Sequence, residues 1–339
     1  MKLTRIGVDL AKQVFQIHGV DSHEQVKCRK QLKRVQMLDF FRQQEPCLVA
    51  MEACGSSHYW ARELIQLGHE VRLIAPQFVK PYVKSGKNDA NDAEAICEAA
   101  SRPSMRYVTV KSAEQQASQS VHRVRSRLIR ARTALLNEIR GLLGEFGHVA
   151  ARSGIASTRA LLQQALDESD KLPGELNEML LLLQDELQDQ DRRVKQLDEM
   201  LRRQVATDER VQRLLKIEGV GPISATAIVA SVGDARQFRS ARQFAAWLGL
   251  VPSQHSSGGK ERLGGISKKG DSYLRMLVIH GARAALNACK CKPDRRSKWI
   301  NQLQARRNTN IATVALANKN ARIIWAILSR GESYQPAEA

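Results

Sequence analysis

Acidic residues are scarce in this chain: 35 aspartates and glutamates stand against 53 lysines and arginines, a formal charge of +18. With a pI near 9.9, that shortage argues against a basic partner and for an anionic one, nucleic acid before a membrane surface. No apolar run reaches the roughly 18 residues a membrane span needs. The opening MKLTRIGVDLAK meets an acid by Asp9, without the apolar stretch of a signal peptide. The six cysteines (Cys28, Cys47, Cys54, Cys97, Cys289 and Cys291) form no paired CxxC clusters, which removes the usual zinc sites. A chain of 339 residues needs no disulfides, so reduced structural thiols in a cytoplasmic protein are expected. Aromatics are sparse at 5%, while 43% hydrophobic residues suit a globular chain with room for two or three domains. A phosphate-binding P-loop is also missing. Around Gly259-Lys260 no glycine lies five residues upstream, and Glu261 stands where Ser or Thr is required.

What is present is a set of four placed acids. Asp9 in RIGVDLAK and Glu52 in LVAMEACGSS each end an apolar run that reads as a strand. Asp89 and Asp92 in KNDANDAEA are spaced i, i+3 at the start of a predicted helix and share its face. Carboxylates gathered at strand ends supply the oxygen ligands that hard divalent cations require. A cluster of four would repel itself without a cation. Two metals about 4 Å apart can activate a nucleophile and stabilise a leaving oxygen. Taken singly, any of these acids is as well explained as solvated surface or a helix cap, Asp89 as an N-cap in particular.

The chain reads in three parts. Residues 1–112 alternate short strands with helices, a hairpin first and βαβ order later, which predicts a mixed α/β sheet. Residues 113–205 read as helical. Arg123, Arg125, Arg127, Arg130, Arg132 and Arg140 lie there with few balancing acids. After Pro173-Gly174 a heptad stripe follows: Leu176, Leu180, Leu183, Leu187, Val194, Leu197 and Leu201, broken only by Gln190. It fits a coiled coil, an antiparallel helical hairpin, or a helix packed on its own domain. Residues 206–339 contain LLKIEGVGPISATAIVA, either a helix-hairpin-helix whose Gly219 and Gly221 amides hold a phosphate or a plain αα-corner. From Gly258 onward sixteen lysines and arginines face five acids, a charge that suits phosphate contact. Within PSQHSSGGKERLGGISKKG, a serine beside glycines, with Lys260, Arg262, Lys268 and Lys269 nearby, could attack a phosphodiester and form a phosphoserine ester. A flexible polar loop explains the same composition. His255 and His280 carry no catalytic reading.

These motifs resemble, in order and spacing, the transposases of the IS110 family of bacterial insertion sequences, and its IS1111 branch most. The resemblance rests on GVDLAK, MEACGSS, NDANDAEAI, IEGVGPISATAIVA and FAAWLGLVPSQHSSGGKERLGGISKKGDSYLR, and spans nearly the whole chain. It implies a RuvC-like domain of RNase H fold, a helical coiled-coil middle, and a mainly α C-terminal transposase domain with a helix-hairpin-helix-like motif. It implies Mg²⁺, with Mn²⁺ as a substitute, held by Asp9, Glu52, Asp89 and Asp92, and a serine nucleophile at Ser257, with Ser256 as the alternative. Arg123, Arg127, Arg130, Gly219, Gly221, Lys260, Arg262, Lys268 and Lys269 are the expected nucleic-acid contacts. The implied partners are donor and target DNA, a structured guide RNA encoded beside the gene, and further copies of the chain in a dimer or tetramer. The implied place of action is the bacterial cytoplasm at the nucleoid. The expected activity is recombination through a covalent protein–DNA intermediate, which requires the two catalytic parts to meet within one subunit or across a dimer. A junction nuclease using metal-activated water alone, and a non-enzymatic DNA-binding protein, are the alternatives.

Overall fold

The computed structural model describes residues 2–84, 88–152, 154–289 and 292–335, so Cys291 lies outside the described residues. The other five cysteines are free thiols. The chain forms two compact units, Met1–Gln116 and Ala117–Ala339.

The first unit is built on a six-stranded sheet in the order β3-β2-β1-β4-β5-β6. Its strands are β1 (Arg5–Leu10), β2 (Val14–Val20), β3 (Val26–Lys33), β4 (Leu48–Glu52), β5 (Glu70–Ile74) and β6 (Tyr107–Val108). β1, β2 and β3 form an antiparallel meander. β4 and β5 run parallel to β1, and β6 returns antiparallel on the edge. The helices are α1 (Met37–Arg42), α2 (Ser57–Gln66), α3 (Pro76–Val79) and α4 (Asp89–Ala100).

Strand alternation divides the work of the two sheet faces. Ile6, Val8, Val49 and Met51 point to a core shared with Met37, Phe41, Trp60 and Leu64 of α1 and α2. Ala50 and Ile74 point the other way, to Val79, Ala95, Ile96 and Ala99 of α3 and α4. Gly7 faces α4 so closely that a Cβ there would stand 2.3 Å from the Ala93 carbonyl oxygen and 2.6 Å from the Cys97 amide nitrogen. Small residues on this face let α4 lie directly on β1.

The second unit is mainly helical. Its long helices are α5 (Ala113–Glu145), α6 (Ile155–Asp167) and α7 (Gly174–Thr207). Ser118 bonds Gln204, Arg125 pairs with Asp198, and Arg132 pairs with Asp191, so α5 and α7 run antiparallel. In the heptad stripe, Leu176, Leu180, Leu187, Val194 and Leu201 are buried. The stripe's first turns pack on Leu135, Ile139 and Leu143 of α5 and on Leu161 and Leu162 of α6. The polar Gln190 is buried with them, its amide nitrogen donating to Glu186 at 2.8 Å.

The rest is α8 (Glu209–Leu215), α9 (Pro222–Val232), α10 (Ala241–Trp247), the hairpin β7 (Pro252–Gln254) and β8 (Leu263–Ile266), α11 (Ser272–Ala288), α12 (Arg295–Arg306) and α13 (Thr309–Arg330). α13 is long and apolar enough to cross a membrane by length and composition. It is instead a core helix here, with Leu316, Ala317, Ala321 and Ile324 fully buried among α8 to α11.

One buried histidine gives this unit an acid-sensitive joint. His122 on α5 is 3% exposed, with Nδ1 3.1 Å from the Tyr273 hydroxyl of α11. Burial, and then Arg125, push its pKa down to about 4 from 6.5. Between those values the unfolded chain binds a proton that the folded chain refuses, so stability falls as pH drops through that window. Between pH 7.5 and pH 5 the loss is about 2 kcal/mol. His122→Gln is expected to flatten the urea-unfolding pH dependence of the full chain by that amount. An unchanged slope would mean that the imidazole is not held neutral.

Candidate active site in the first unit and serine hairpin in the second

Asp9 and Glu52 reach one place by register and alternation together. β1 and β4 are parallel with Val8 beside Met51, so the next residues, Asp9 and Glu52, emerge side by side at the carboxyl ends of the two strands. Both have the parity of Gly7 and Ala50, which directs them to the α4 face. The close approach of α4 at Gly7 then brings Asp92, in its first helical turn, over the same strand ends. Asp9, Glu52 and Asp92 line one cleft of about 360 Å³, together with Pro76, Gln77, Val79, Lys80 and Val83.

Asp89 is not in that lining. It is exposed at the first position of α4, and the helix cap is Asn88, whose side chain accepts from the Ala90 amide at 3.0 Å. The field of Asp89 nonetheless reaches the cleft. Burial, followed by the charges of Asp92, Asp89 and Glu52, pushes the Asp9 carboxyl up to about 6 from 3.8. Glu52 is raised by burial and then by Asp92. Like charges sharing a half-buried cleft are the arrangement that a cation relieves. Among the described residues, no three acid, histidine or cysteine side chains close to the ligand spacing of a single ion. The hard-oxygen donor set suits a divalent cation in chemistry, but the acids ring the cleft more widely than one coordination shell.

Reading the sequence did not identify three neighbours of this site. Gln77 and Lys80 line the cleft from α3 and the 3₁₀ turn Lys80–Tyr82 that follows it. Cys54 lies in the field of Glu52 and Asp9, both of which, after burial, raise its thiol pKa. Only Cys54 had a signal, its place two residues beyond Glu52.

In the second unit the serine segment is an ordered hairpin. Lys260 N–H donates to the Ser257 carbonyl at 3.0 Å, and Gly258 and Gly259 between them have φ of +56° and +75°. Positive φ at both central positions makes this the two-residue turn that suits the strand twist, and glycine adopts it without strain. Ser256 and Ser257 differ in what they touch. Ser256 Oγ accepts from Gln254 Nε2 at 2.9 Å and from the Arg262 amide at 3.3 Å. Ser257 is exposed at the turn corner, paired across the ribbon with Lys260. Pairing also joins the His255 amide to the Arg262 carbonyl at 2.9 Å. Alternation therefore puts His255, Ser257, Lys260 and Arg262 on one ribbon face.

The remaining expected contacts divide. Arg123, Arg127 and Arg130 form an exposed i, i+4, i+7 stripe on α5, while Arg125 and Arg132 are held in the helix pair by Asp198 and Asp191. Lys268 and Lys269 are exposed just before α11. Gly219, at φ +85°, abuts Gly281 of α11: a Cβ on it would stand 2.4 Å from the Gly281 carbonyl oxygen. Packing thus accounts for Gly219. Gly221 caps α9, and a side chain added there would meet open space.

Comparison with known proteins extends over both units. Residues 6–147 match a transposase family of the DEDD type of IS110 elements, and residues 211–299 match the transposase IS116/IS110/IS902 family. A probable family 20 transposase of Pseudomonas aeruginosa is 67% identical over 337 residues, covering 99% of this chain and 100% of its own length. The transposase for insertion sequence element IS1111A of Coxiella burnetii is 47% identical over 97% of this chain and 91% of its own. The transposase for IS1328 of Yersinia enterocolitica is 42% identical, with 97% and 98% covered. The matches run from the carboxylate-bearing strands to the helices beyond the serine hairpin, and on them the chain belongs to the IS110/IS116/IS902 family of transposases, enzymes of DNA strand transfer.

Proposed function

We propose that this transposase excises and inserts an insertion sequence by serine attack on a DNA phosphodiester, assisted by a divalent ion at Asp9, Glu52 and Asp92, with Asp89 adding charge from the first turn of α4. The observation that carries the reading is the convergence of three of the four acids on one cleft. The ion, when bound, neutralises charge developing on the phosphate oxygens. The carboxylates would hold it by turning inward from their present wider ring. Ser257 Oγ forms a bond to phosphorus as the bond from phosphorus to the leaving deoxyribose oxygen breaks. The serine's proton passes to that oxygen, and the ester conserves the bond for rejoining.

The exposed arginine stripe of α5, with Lys260, Arg262, Lys268 and Lys269, supports contact with DNA backbone and with a guide RNA of the element. Assembly as a dimer or tetramer is part of the same reading, since two duplexes are recombined.

The test uses the full chain, RNA transcribed from the element's flank, labelled element-junction DNA and Mg²⁺, resolved on a denaturing gel. Wild type is expected to give a slow protein–DNA band. Asp9→Asn is expected to lower strand cleavage by about a hundredfold or more, from the loss of a metal ligand worth several kcal/mol. Free cleaved strands without an adduct would replace this reading with a hydrolytic junction nuclease. DNA binding with no cleavage under any Mg²⁺ and RNA condition would leave a binding protein.

A further inference from the structure

We infer that Lys80 is a substrate ligand: its ammonium binds a non-bridging oxygen of the scissile phosphodiester in the carboxylate cleft. The inference rests on the proposed reading of that cleft as the cleavage site.

Three carboxylates line the cleft, and among the described residues Lys80 is the one cation that lines it. An acid-lined cleft repels a phosphodiester as well as attracting a metal. A compact cation placed where the phosphate arrives offsets that repulsion. Lysine among carboxylates ordinarily collapses onto one of them. Lys80 does not: no carboxylate oxygen lies within 4.0 Å of Nζ among the described residues, although Asp9, Glu52 and Asp92 share its cleft. Its side chain is exposed.

The backbone beneath it is fixed. Pro76 starts α3 straight from β5, and Phe78 N–H donates to the Ala75 carbonyl at 2.8 Å. Val79, 2% exposed, plugs into the core against Ala50, Ile74 and Ile96. Val83 N–H closes the following 3₁₀ turn onto the Lys80 carbonyl at 3.2 Å. The neighbouring side chains are also clamped, Phe78 lying under Arg106 at 6.0 Å and Tyr82 under Arg102 at 5.5 Å. Lys80 is therefore, among the described residues, an ammonium without a carboxylate partner on an anchored turn, the property expected of a phosphate contact that forms with substrate.

The test compares Lys80→Met, Lys80→Arg and Asp9→Asn in cleavage of labelled junction DNA by the RNA-loaded full chain. Lys80→Met is expected to lower the cleavage rate constant at saturating DNA and Mg²⁺ by about a hundredfold, in line with loss of one preorganised charge contact. Lys80→Arg should restore at least about tenfold of that loss. Melting temperature and half-saturating Mg²⁺ should stay at wild-type values, since Lys80 is exposed and pairs with no carboxylate among the described residues. A Lys80→Met rate within threefold of wild type overturns the inference. So does a shift in half-saturating Mg²⁺ with an unchanged rate at saturation, which would assign Lys80 to the carboxylates. If Asp9→Asn is inactive while Lys80→Met is normal, only this inference fails. If Asp9→Asn is also normal, the reading of the cleft itself fails.

Discussion

Gly7→Ala is expected to cost about 3 kcal/mol or more and to take DNA cleavage down with it, although the added group is one methyl far from any reacting atom. The new Cβ would stand 2.3 Å from the Ala93 carbonyl oxygen, 2.6 Å from the Cys97 amide nitrogen and 2.7 Å from Cys97 Cβ. Two of these are backbone atoms of α4, so no rotamer change relieves them. The helix itself must lift. Its departure would uncover Ile96 and Ala99, fully buried against Ala50 and Ile74. It would also carry Asp92 away from the carboxyl ends of β1 and β4. Gly7 has a negative φ, so backbone strain plays no part, and the whole effect is steric. Gly7→Val should prevent the first unit from folding, given a total stability on the order of 10 kcal/mol. Cys97→Gly in the Gly7→Ala background removes only the third contact and should rescue little. Urea unfolding and Mg²⁺-dependent cleavage measured on the same samples decide the matter. Wild-type values for Gly7→Ala in both would refute the view that close helix–strand approach assembles the carboxylates.

The same glycine shows where the sequence was readable. A strand at Glu70–Ile74 is legible and forms there as β5, because Val71, Leu73 and Ile74 in a short segment between Gly68 and Pro76 leave few other options. Asp9 and Glu52 were legible as strand ends. Their convergence was not, because it depends on the parallel register of β1 with β4 and on which sheet face α4 covers. Glycine inside an apolar strand is a signal of close backbone approach, and Gly7 was available to be read that way. Asp89 and Asp92 share a helical face by spacing, yet only Asp92 lines the cleft, while Asp89 stands exposed at the first position of α4. The heptad stripe announced a buried face, but periodicity is silent on what buries it. In the structure α5 and α6 cover its first turns within the chain. The hairpin at Pro252–Ile266 was hidden for another reason: its strands are short and mostly exposed, Pro-Ser-Gln and Leu-Gly-Gly-Ile, without the apolar alternation that marks a strand. Lys80 carried no signal at all, because its meaning is the company it keeps in the folded cleft.

Ser257→Ala is expected to abolish the covalent protein–DNA adduct, a loss of about 10⁴-fold or more in cleavage by transfer, while leaving the fold untouched. Ser256→Ala should do the reverse. The two hydroxyls are adjacent in sequence but chemically distinct in the hairpin. Ser256 Oγ already accepts from Gln254 and from the Arg262 amide, so its lone pairs are engaged in holding the ribbon closed. Its removal should loosen the hairpin by about 1 kcal/mol and keep adduct formation within about tenfold of wild type. Ser257 stands at the corner of a turn fixed by Gly258 and Gly259, exposed and opposite Lys260. A nucleophile must present a lone pair to phosphorus, and on the proposed reading Ser257 does so, with Lys260 across the ribbon to meet the phosphate. Gly258→Ala and Gly259→Ala should weaken the adduct in proportion to the strain of a side chain at positive φ, about 1–2 kcal/mol each. Denaturing gels of the four variants beside wild type separate the possibilities. An adduct that survives Ser257→Ala and vanishes in Ser256→Ala would move the nucleophile by one residue and require the hairpin to open before reaction. Cleavage unaffected by either serine change would leave the carboxylate cleft as a complete hydrolytic centre and the hairpin as a DNA-binding arm.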